Sequence, residues 1–187
     1  MRAYVLIDGA GMGGSARARA LRHGCLQILL LESGPLTVKP FDAQAPFEPR
    51  VGALSAASQR ILERLNAWES IVSRRVSPYG EMHVWDGSGT GKVHFSASSV
   101  HAQVLGHIVE NRVVQDALIE RLHDCDIGLL ANARLEQMRR SGDDWLLTLA
   151  DGRTLRAPLV VAADGANSTV RRMTGTATRE WDYMHHA

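Results

Sequence analysis

Two hydrophobic periods alternate along the 187 residues of the chain. Tyr4 to Ile7 and Ile28 to Leu31 are short unbroken apolar runs of strand formers, the pattern of strands covered on both faces. The alanine-rich segment between them opens at a glycine-rich turn and has helical composition. Residues 33–50 hold four prolines and no sustained period, which predicts a long surface connection or lid. Ser55 then suits the N-cap of a helix in which Ile61, Leu62, Leu65 and Trp68 form one stripe, with Gln59, Arg60, Glu63 and Arg64 opposite. MHVWD and KVHFS alternate around the turn-prone GSGTG and predict a β-hairpin, where a second layer begins. From Glu110 to Leu122 the positions Val113, Val114, Ala117, Leu118 and Leu122 again make a helical stripe. IGLLANARLEQM reads as one strand, and WLLTLADGRTLRAPLVVAADG as two strands around an Asp-Gly turn followed by a third. No internal repeat or low-complexity segment appears.

Composition adds bounds. A chain of this length with 45% hydrophobic and 22% charged residues can bury one good core, or one domain and part of another. Net charge is +1 and the arginines are scattered, which argues against nucleic acid as a partner. Cys25 and Cys125 stand far apart without C-x-x-C spacing, fitting free thiols in a reducing compartment. No apolar run reaches membrane-span length and no signal-peptide pattern opens the chain, so the expected location is cytoplasmic. His83, His94, His101 and His107 show no metal-ligand spacing and read as solvated or core-satisfied, so no metal is expected. Trp85, Phe95 and Trp181 read as core, or as the lining of a substrate cavity.

The chemistry concentrates in two places. Gly9, Gly11 and Gly14 give G-x-G-x-x-G between the first predicted strand and helix, with Met12 inside the turn. Gly9 permits the tight turn, Gly11 lets backbone approach a phosphate, and Gly14 lets the helix pack on the strand. The helix N-terminus then faces the anion with unpaired N–H groups and the positive end of its dipole. Glu32 closes the second strand, where a carboxylate can hydrogen-bond the ribose of an adenosine half. Together these features specify a dinucleotide site. The second place is Asp164-Gly165 followed by Ser168 and Arg171, at the end of another apolar strand, where open α/β sheets collect ligands. Alone it reads as a strand-to-helix turn with a cap.

GAGMGGSARARAL with Glu32, then RVGALSAASQRILERLNAW, LGHIVENRVVQDAL, VVAADGANSTVRR and WDYMHHA resemble, in this order, the FAD-dependent aromatic-ring hydroxylases of ubiquinone biosynthesis, closest to the 2-octaprenylphenol hydroxylase group of class A flavoprotein monooxygenases. The resemblance runs over essentially the whole chain. It implies an α/β fold: a Rossmann-like FAD-binding domain of the glutathione-reductase-like, three-layer ββα kind, with part of a second, β-rich substrate domain inserted between the second and third core strands. The implied division is 1–75 and 106–178 for the FAD-binding domain, 76–105 for a hairpin of the substrate domain, and 179–187 for the start of its next strand. In such enzymes NADPH or NADH reduces FAD, and dioxygen supplies one oxygen to a phenolic ring; the protein binds, orients and excludes water.

Carried over residue by residue, the resemblance makes Gly9, Gly11, Met12 and Gly14 the pyrophosphate turn and Glu32 the ribose acid. Arg50 opens the segment lying along FAD, and Asn111 faces FAD at the start of the following helix. Asp164, Gly165 and Arg171 touch FAD and the path of the nicotinamide cofactor, while Ser168 caps the helix. His185 and His186 match the family's terminal H-H-A. No catalytic residue is assigned. A polyprenylated phenol is the implied substrate, with peripheral contact to the inner membrane, a quinone-synthesis complex or a second copy as further expected partners.

Three features depart from the family pattern. Asp8 ends the first strand where a small apolar residue is expected, and its carboxylate repels a pyrophosphate unless paired or protonated. Arg17 and Arg19 lie on different faces of the dinucleotide helix, so at least one meets the sheet at a cost. The chain also stops before the later Gly-Asp motif that closes over the flavin, the mark of an incomplete N-terminal portion. Three readings are open: such a portion of an FAD-dependent hydroxylase, a non-catalytic FAD-binding or scaffold remnant, and another flavin oxidoreductase such as a reductase or halogenase.

Overall fold

The computed structural model describes residues 2–22, 24, 26–182 and 184; Cys25, His185 and His186 lie outside them. In chain order the elements are β1 (Val5–Asp8), α1 (Met12–Leu21), β2 (Ile28–Leu31), β3 (Val51–Ser55), α2 (Ala56–Arg64), α3 (Trp68–Val72), β4 (Val76–Tyr79), β5 (Glu81–Trp85) and β6 (Lys92–Ser96). After a 3-10 turn at Ala97–Val100 come β7 (Gly106–Glu110), α4 (Asn111–His123), β8 (Gly128–Leu130), β9 (Leu135–Ser141), β10 (Asp144–Leu149), β11 (Thr154–Ala157), β12 (Leu159–Ala162) and α5 (Thr169–Met173).

The central sheet is parallel, in the order β12-β1-β2-β8. Its two middle strands are buried along their whole length, which is why they are continuous apolar runs. Alternation divides their side chains between two cores. Val5, Ile7, Ile28 and Leu30 pack with Ala18 of α1 and Leu122 of α4. Leu6, Leu29 and Leu31 pack on the other face with Leu147, Leu149 and Leu155 of the antiparallel sheet β11-β10-β9. Helices, parallel sheet and antiparallel sheet are therefore the three layers expected. Leu6, Ile7, Leu30 and Leu31 are completely enclosed, each contributing about 1.5–3 kcal/mol of burial.

A third core lies beside α4, where Leu62, Leu65 and Ile71 meet Val109, Val113, Val114 and Leu118. It covers the antiparallel sheet β3-β7-β4. That sheet joins residues on both sides of the divisions expected at 75/76 and 105/106. The connection 33–50 contains no helix or strand and is tied down by Arg75. The guanidinium of Arg75 donates to the carbonyls of Asp42, Ala43 and Ala45 at 3.3, 2.9 and 3.0 Å, stacks on Phe41 and Phe47, and pairs with Glu110.

Two elements differ from their sequence expectation. The stripe from Ile61 to Trp68 is not one helix, because Asn66 takes a left-handed φ of 58° and divides α2 from α3. Leu62 and Leu65 are buried, while Ile61 faces solvent. Likewise IGLLANARLEQM is two strands in two sheets, parted at Asn132, whose φ is 52°. In both places an asparagine tolerates the left-handed region and turns the chain without a glycine. Trp85, Phe95 and Trp181 are not core; each is at least half exposed.

Of the two arginines on α1, Arg17 reaches solvent and donates to the Gly13 carbonyl, whereas Arg19 is 4% exposed and its Nε has no hydrogen-bond partner among the described residues. Burying a guanidinium with an unpartnered Nε costs stability. Arg19→Leu is therefore expected to raise the free energy of unfolding by about 1–3 kcal/mol, read from denaturant midpoints at constant slope; an unchanged or lower midpoint would refute the cost assigned to Arg19.

Candidate functional site

Three strand ends converge on one turn. Gly9 N donates to the Leu31 carbonyl at 2.9 Å, and Ala163 N donates to the Asp8 carbonyl at 2.7 Å, so the turn after β1 is held between the ends of β2 and β12. Gly9 has φ +102°, and a Cβ there would collide with the carbonyl of Ala163. A Cβ on Gly14 would collide with the carbonyl of Gly9, so α1 rests directly on the turn. Gly11 is different. Its φ is −63°, and a Cβ built on it meets nothing within 4 Å. Packing requires glycine at the first and third positions, and leaves the second open.

Gly11 borders a cleft of about 390 Å³ lined also by Asp8, Gly9, Glu32, Asp164 and Gly165. The cleft receives the N-terminus of α1, which no side chain caps and which has no acidic residue in its first turn. Glu32 is held by three donors: the Ala10 and Gly34 amides at 2.8 and 3.0 Å and the Ser33 hydroxyl at 3.1 Å. Its carboxylate thereby ties the glycine turn to the end of β2. On the far side, Asp164 Oδ2 accepts the amides of Thr169 and Val170 at 2.6 and 3.2 Å, while Oδ1 is buried without a partner among the described residues. Burial opposes the charge on Asp164, but hydrogen bonds from Ser168, Val170 and Thr169 outweigh it and hold the carboxyl below its ordinary range. Gly165 takes φ +86°, which lets the chain turn from β12 into α5, where Ser168 accepts the Arg171 amide as the cap.

The remaining candidates do not line this cleft. Met12 begins α1, and Arg171 donates to the Ala166 carbonyl at 2.7 Å within its own loop. Arg50 is exposed, and its carbonyl accepts the Asn111 amide at 3.0 Å, which places those two residues together where β3 meets the start of α4. Arg134, from the connection between β8 and β9, does line the cleft. Sequence reasoning missed it because its segment reads as an uninterrupted strand.

Asp8 is the unusual member. It is 7% exposed, and burial, followed by the neighbouring charges of Asp164 and Glu32, pushes its carboxyl up to about 6. Three carboxylates thus share a cleft whose other polar resources are backbone amides, the hydroxyls of Ser33 and Thr169, and Arg134. Protonation of Asp8 relieves the most buried of them.

Residues 2–185 match the family model described as FAD binding domain. The chain is 35% identical over 181 residues to the 3-demethoxyubiquinol 3-hydroxylase of Escherichia coli (strain K12), covering 96% of this chain and 45% of that protein. It is 33% identical over 206 residues to the mitochondrial ubiquinone biosynthesis monooxygenase COQ6 of Xenopus tropicalis, covering 98% of this chain and 42% of the relative. The chain therefore spans less than half the length of these relatives. Among solved structures, PqsL of P. aeruginosa in complex with 2-aminobenzoylacetate superposes with a TM-score of 0.76 at 24% identity, over 98% of this chain and 48% of the other, a likeness of fold.

The raised carboxyl of Asp8 has a direction in pH. Its folded value of about 6 lies above the ordinary 3.8, so the native state holds the proton more tightly and loses stability as pH rises from about 4 through 6. At about 1.36 kcal/mol per unit the full effect is on the order of 3 kcal/mol. Asp8→Asn is expected to match the parent near pH 4 and to be more stable by that order at pH 8, in denaturant titrations at both pH values. A gap independent of pH would contradict this account.

Proposed function

Since the chain belongs to the FAD-binding-domain family, we propose that the cleft at the ends of β1, β2 and β12 holds FAD, and that the protein serves in an NAD(P)H-driven hydroxylation of a polyprenylated phenol. The observation that carries the cofactor assignment is Gly11. Protein packing makes no demand for glycine there, so the space beside its Cα is available to a ligand that backbone must approach closely. The uncapped start of α1 and the unpartnered Oδ1 of Asp164 fit the same reading.

In this assignment Gly9, Gly11, Met12 and Gly14 with the N-terminus of α1 hold the pyrophosphate, and Glu32 holds the ribose. Asp164 and Gly165 bound the other side. Arg50 and Asn111 lie along the cofactor, and Arg171 lies toward the nicotinamide path. When bound, FAD supplies the electron transfer from NADPH or NADH and the reaction with dioxygen by which one oxygen reaches the phenol. The protein's own share is to bind, orient and exclude water, with Asp8 taking a proton to admit the pyrophosphate. The substrate class follows the relatives named for ubiquinone biosynthesis. The reading assigns 1–75 and 106–178 to the FAD-binding domain and 76–105 to a hairpin of the substrate domain; the strand expected to start in 179–187 is not formed at the described residues 179–182.

Partners belong to the same reading. Among the described residues no helix is long and apolar enough to cross a membrane. Exposed Phe47, Trp85, Val100 and Trp181 offer surface for peripheral membrane contact, for a quinone-synthesis complex or for a second copy. A second functional reading, a non-catalytic relative that keeps the fold, draws on Asp8, because a buried carboxylate in the cleft opposes an anionic cofactor.

Titration with FAD, followed by flavin fluorescence, tests the cofactor assignment, and product analysis separates the hydroxylase from a non-catalytic FAD-binding remnant. The parent is expected to bind, more tightly at pH 5.5 than at pH 8. Gly11→Val should weaken binding about tenfold or more with an unchanged unfolding midpoint, whereas Gly14→Ala should lower the midpoint itself. A folded parent that ignores FAD at both pH values leaves the non-catalytic reading. For the hydroxylase, mass spectrometry of products formed with NADPH and a polyprenylated phenol should find one added oxygen; NADPH oxidation that never hydroxylates any phenol tried removes that assignment.

A further inference from the structure

The hairpin β5–β6 carries a group of side chains that the flavin reading does not use. Antiparallel register sets His83 directly opposite His94, and Glu81, two residues before His83, projects from the same face. The two imidazoles are stacked, with centroids 4.1 Å apart and planes 12° from parallel. Glu81 Oε2 lies 3.6 Å from His83 Nε2 and 3.4 Å from His94 Nε2. One ligand atom from each of the three residues falls within a sphere of contacts no wider than 4.8 Å.

We propose that Glu81, His83 and His94 form a binding site for a divalent transition metal ion, with zinc as the expected occupant. Zinc bonds of about 2.0–2.1 Å at tetrahedral angles put neighbouring ligand atoms about 3.3–3.4 Å apart. The carboxylate oxygen already stands at nearly that separation from both ring nitrogens, and closing on an ion requires the two stacked rings to tilt until both Nε2 lone pairs converge. Two imidazoles and one carboxylate select zinc, nickel or copper over magnesium or calcium, which prefer oxygen ligands throughout. All three side chains are about half exposed or more, so water completes the coordination and the ion has an open approach. The ligands come from two strands, and their spacing along the chain therefore gives no metal signature.

The site also has a structural consequence. Every residue of β5 and all but Ser96 of β6 are exposed, and a lone two-stranded hairpin is marginally stable in water. An ion bridging His83 and His94 joins the strands at the middle of their pairing.

Isothermal titration of the chain with zinc chloride tests the proposal, in a background carrying His185→Asn and His186→Asn to remove a competing pair. One equivalent should bind. His83→Ala, His94→Ala and Glu81→Gln should each weaken the binding about tenfold or more, and His101→Ala should leave it unchanged. Because a variant could also disturb the hairpin, nickel is added to the His185→Asn, His186→Asn chain with Glu81, His83 and His94 intact as an independent readout. Paramagnetic broadening should then appear first at the ring resonances of His83 and His94. No zinc binding, binding indifferent to the three substitutions, or broadening centred elsewhere overturns the site.

Discussion

The close approach of backbone to backbone at the end of β1 is the constraint on which the other features depend. Gly9 lies against Ala163, and Gly14 against Gly9, at separations that leave no space for a Cβ at either glycine. Because β12, the turn and α1 meet there without intervening side chains, the helix N-terminus is delivered to the edge of the parallel sheet. The same convergence brings Asp8, Glu32 and Asp164 into one cleft from three strand ends. Geometry that is required for packing therefore also fixes the electrostatics.

Those electrostatics are balanced by hydrogen bonding more than by opposite charge. Glu32 is satisfied by two amides and a hydroxyl, and Asp164 by the first amides of α5. Asp8, at the closed end of β1, receives the smallest share and is the carboxyl whose ionisation burial opposes most strongly. An anion entering the cleft therefore meets the ionised Asp8 as a like charge, and the proton on Asp8 removes that repulsion. Substituting a small apolar residue at this position would relieve the conflict without touching the turn.

What was legible in the sequence follows from how local each signal is. The runs Val5–Asp8 and Ile28–Leu31 are apolar throughout because both faces are covered, and the glycine turn between them is dictated within a few residues. Ser55 and Ser168 were recognisable as caps, since a cap bonds amides only three residues ahead. The sheet β3-β7-β4 was not seen. Its strands carry mixed burial, and Val51 meets Glu110 only through pairing across most of a domain length. Arg134 escaped notice for the same reason: it reaches the cleft because the chain turns at Asn132 from one sheet into another, and asparagine is a weak signal for such a break. The positions of Arg50 and Asn111 likewise depend on the β3–β7 pairing rather than on the glycine turn.

The hairpin shows how far period-two alternation determines chemistry. Met82, Val84, Val93 and Phe95 occupy one face and Glu81, His83, Trp85, Lys92, His94 and Ser96 the other, purely from register. A one-residue shift of β6 would carry His94 to the opposite face from Glu81 and His83 and bring apolar Val93 and Phe95 to theirs. The register is held by the turn, where Asp86 N donates to the Gly91 carbonyl and the Asp86 carboxylate accepts the Ser88 amide. At the opposite end Ala97 N donates to the Gly80 carbonyl. Closure at both ends, rather than burial between them, keeps His83 facing His94, so the polar group on the hairpin is preorganised even though almost none of its strand surface is covered.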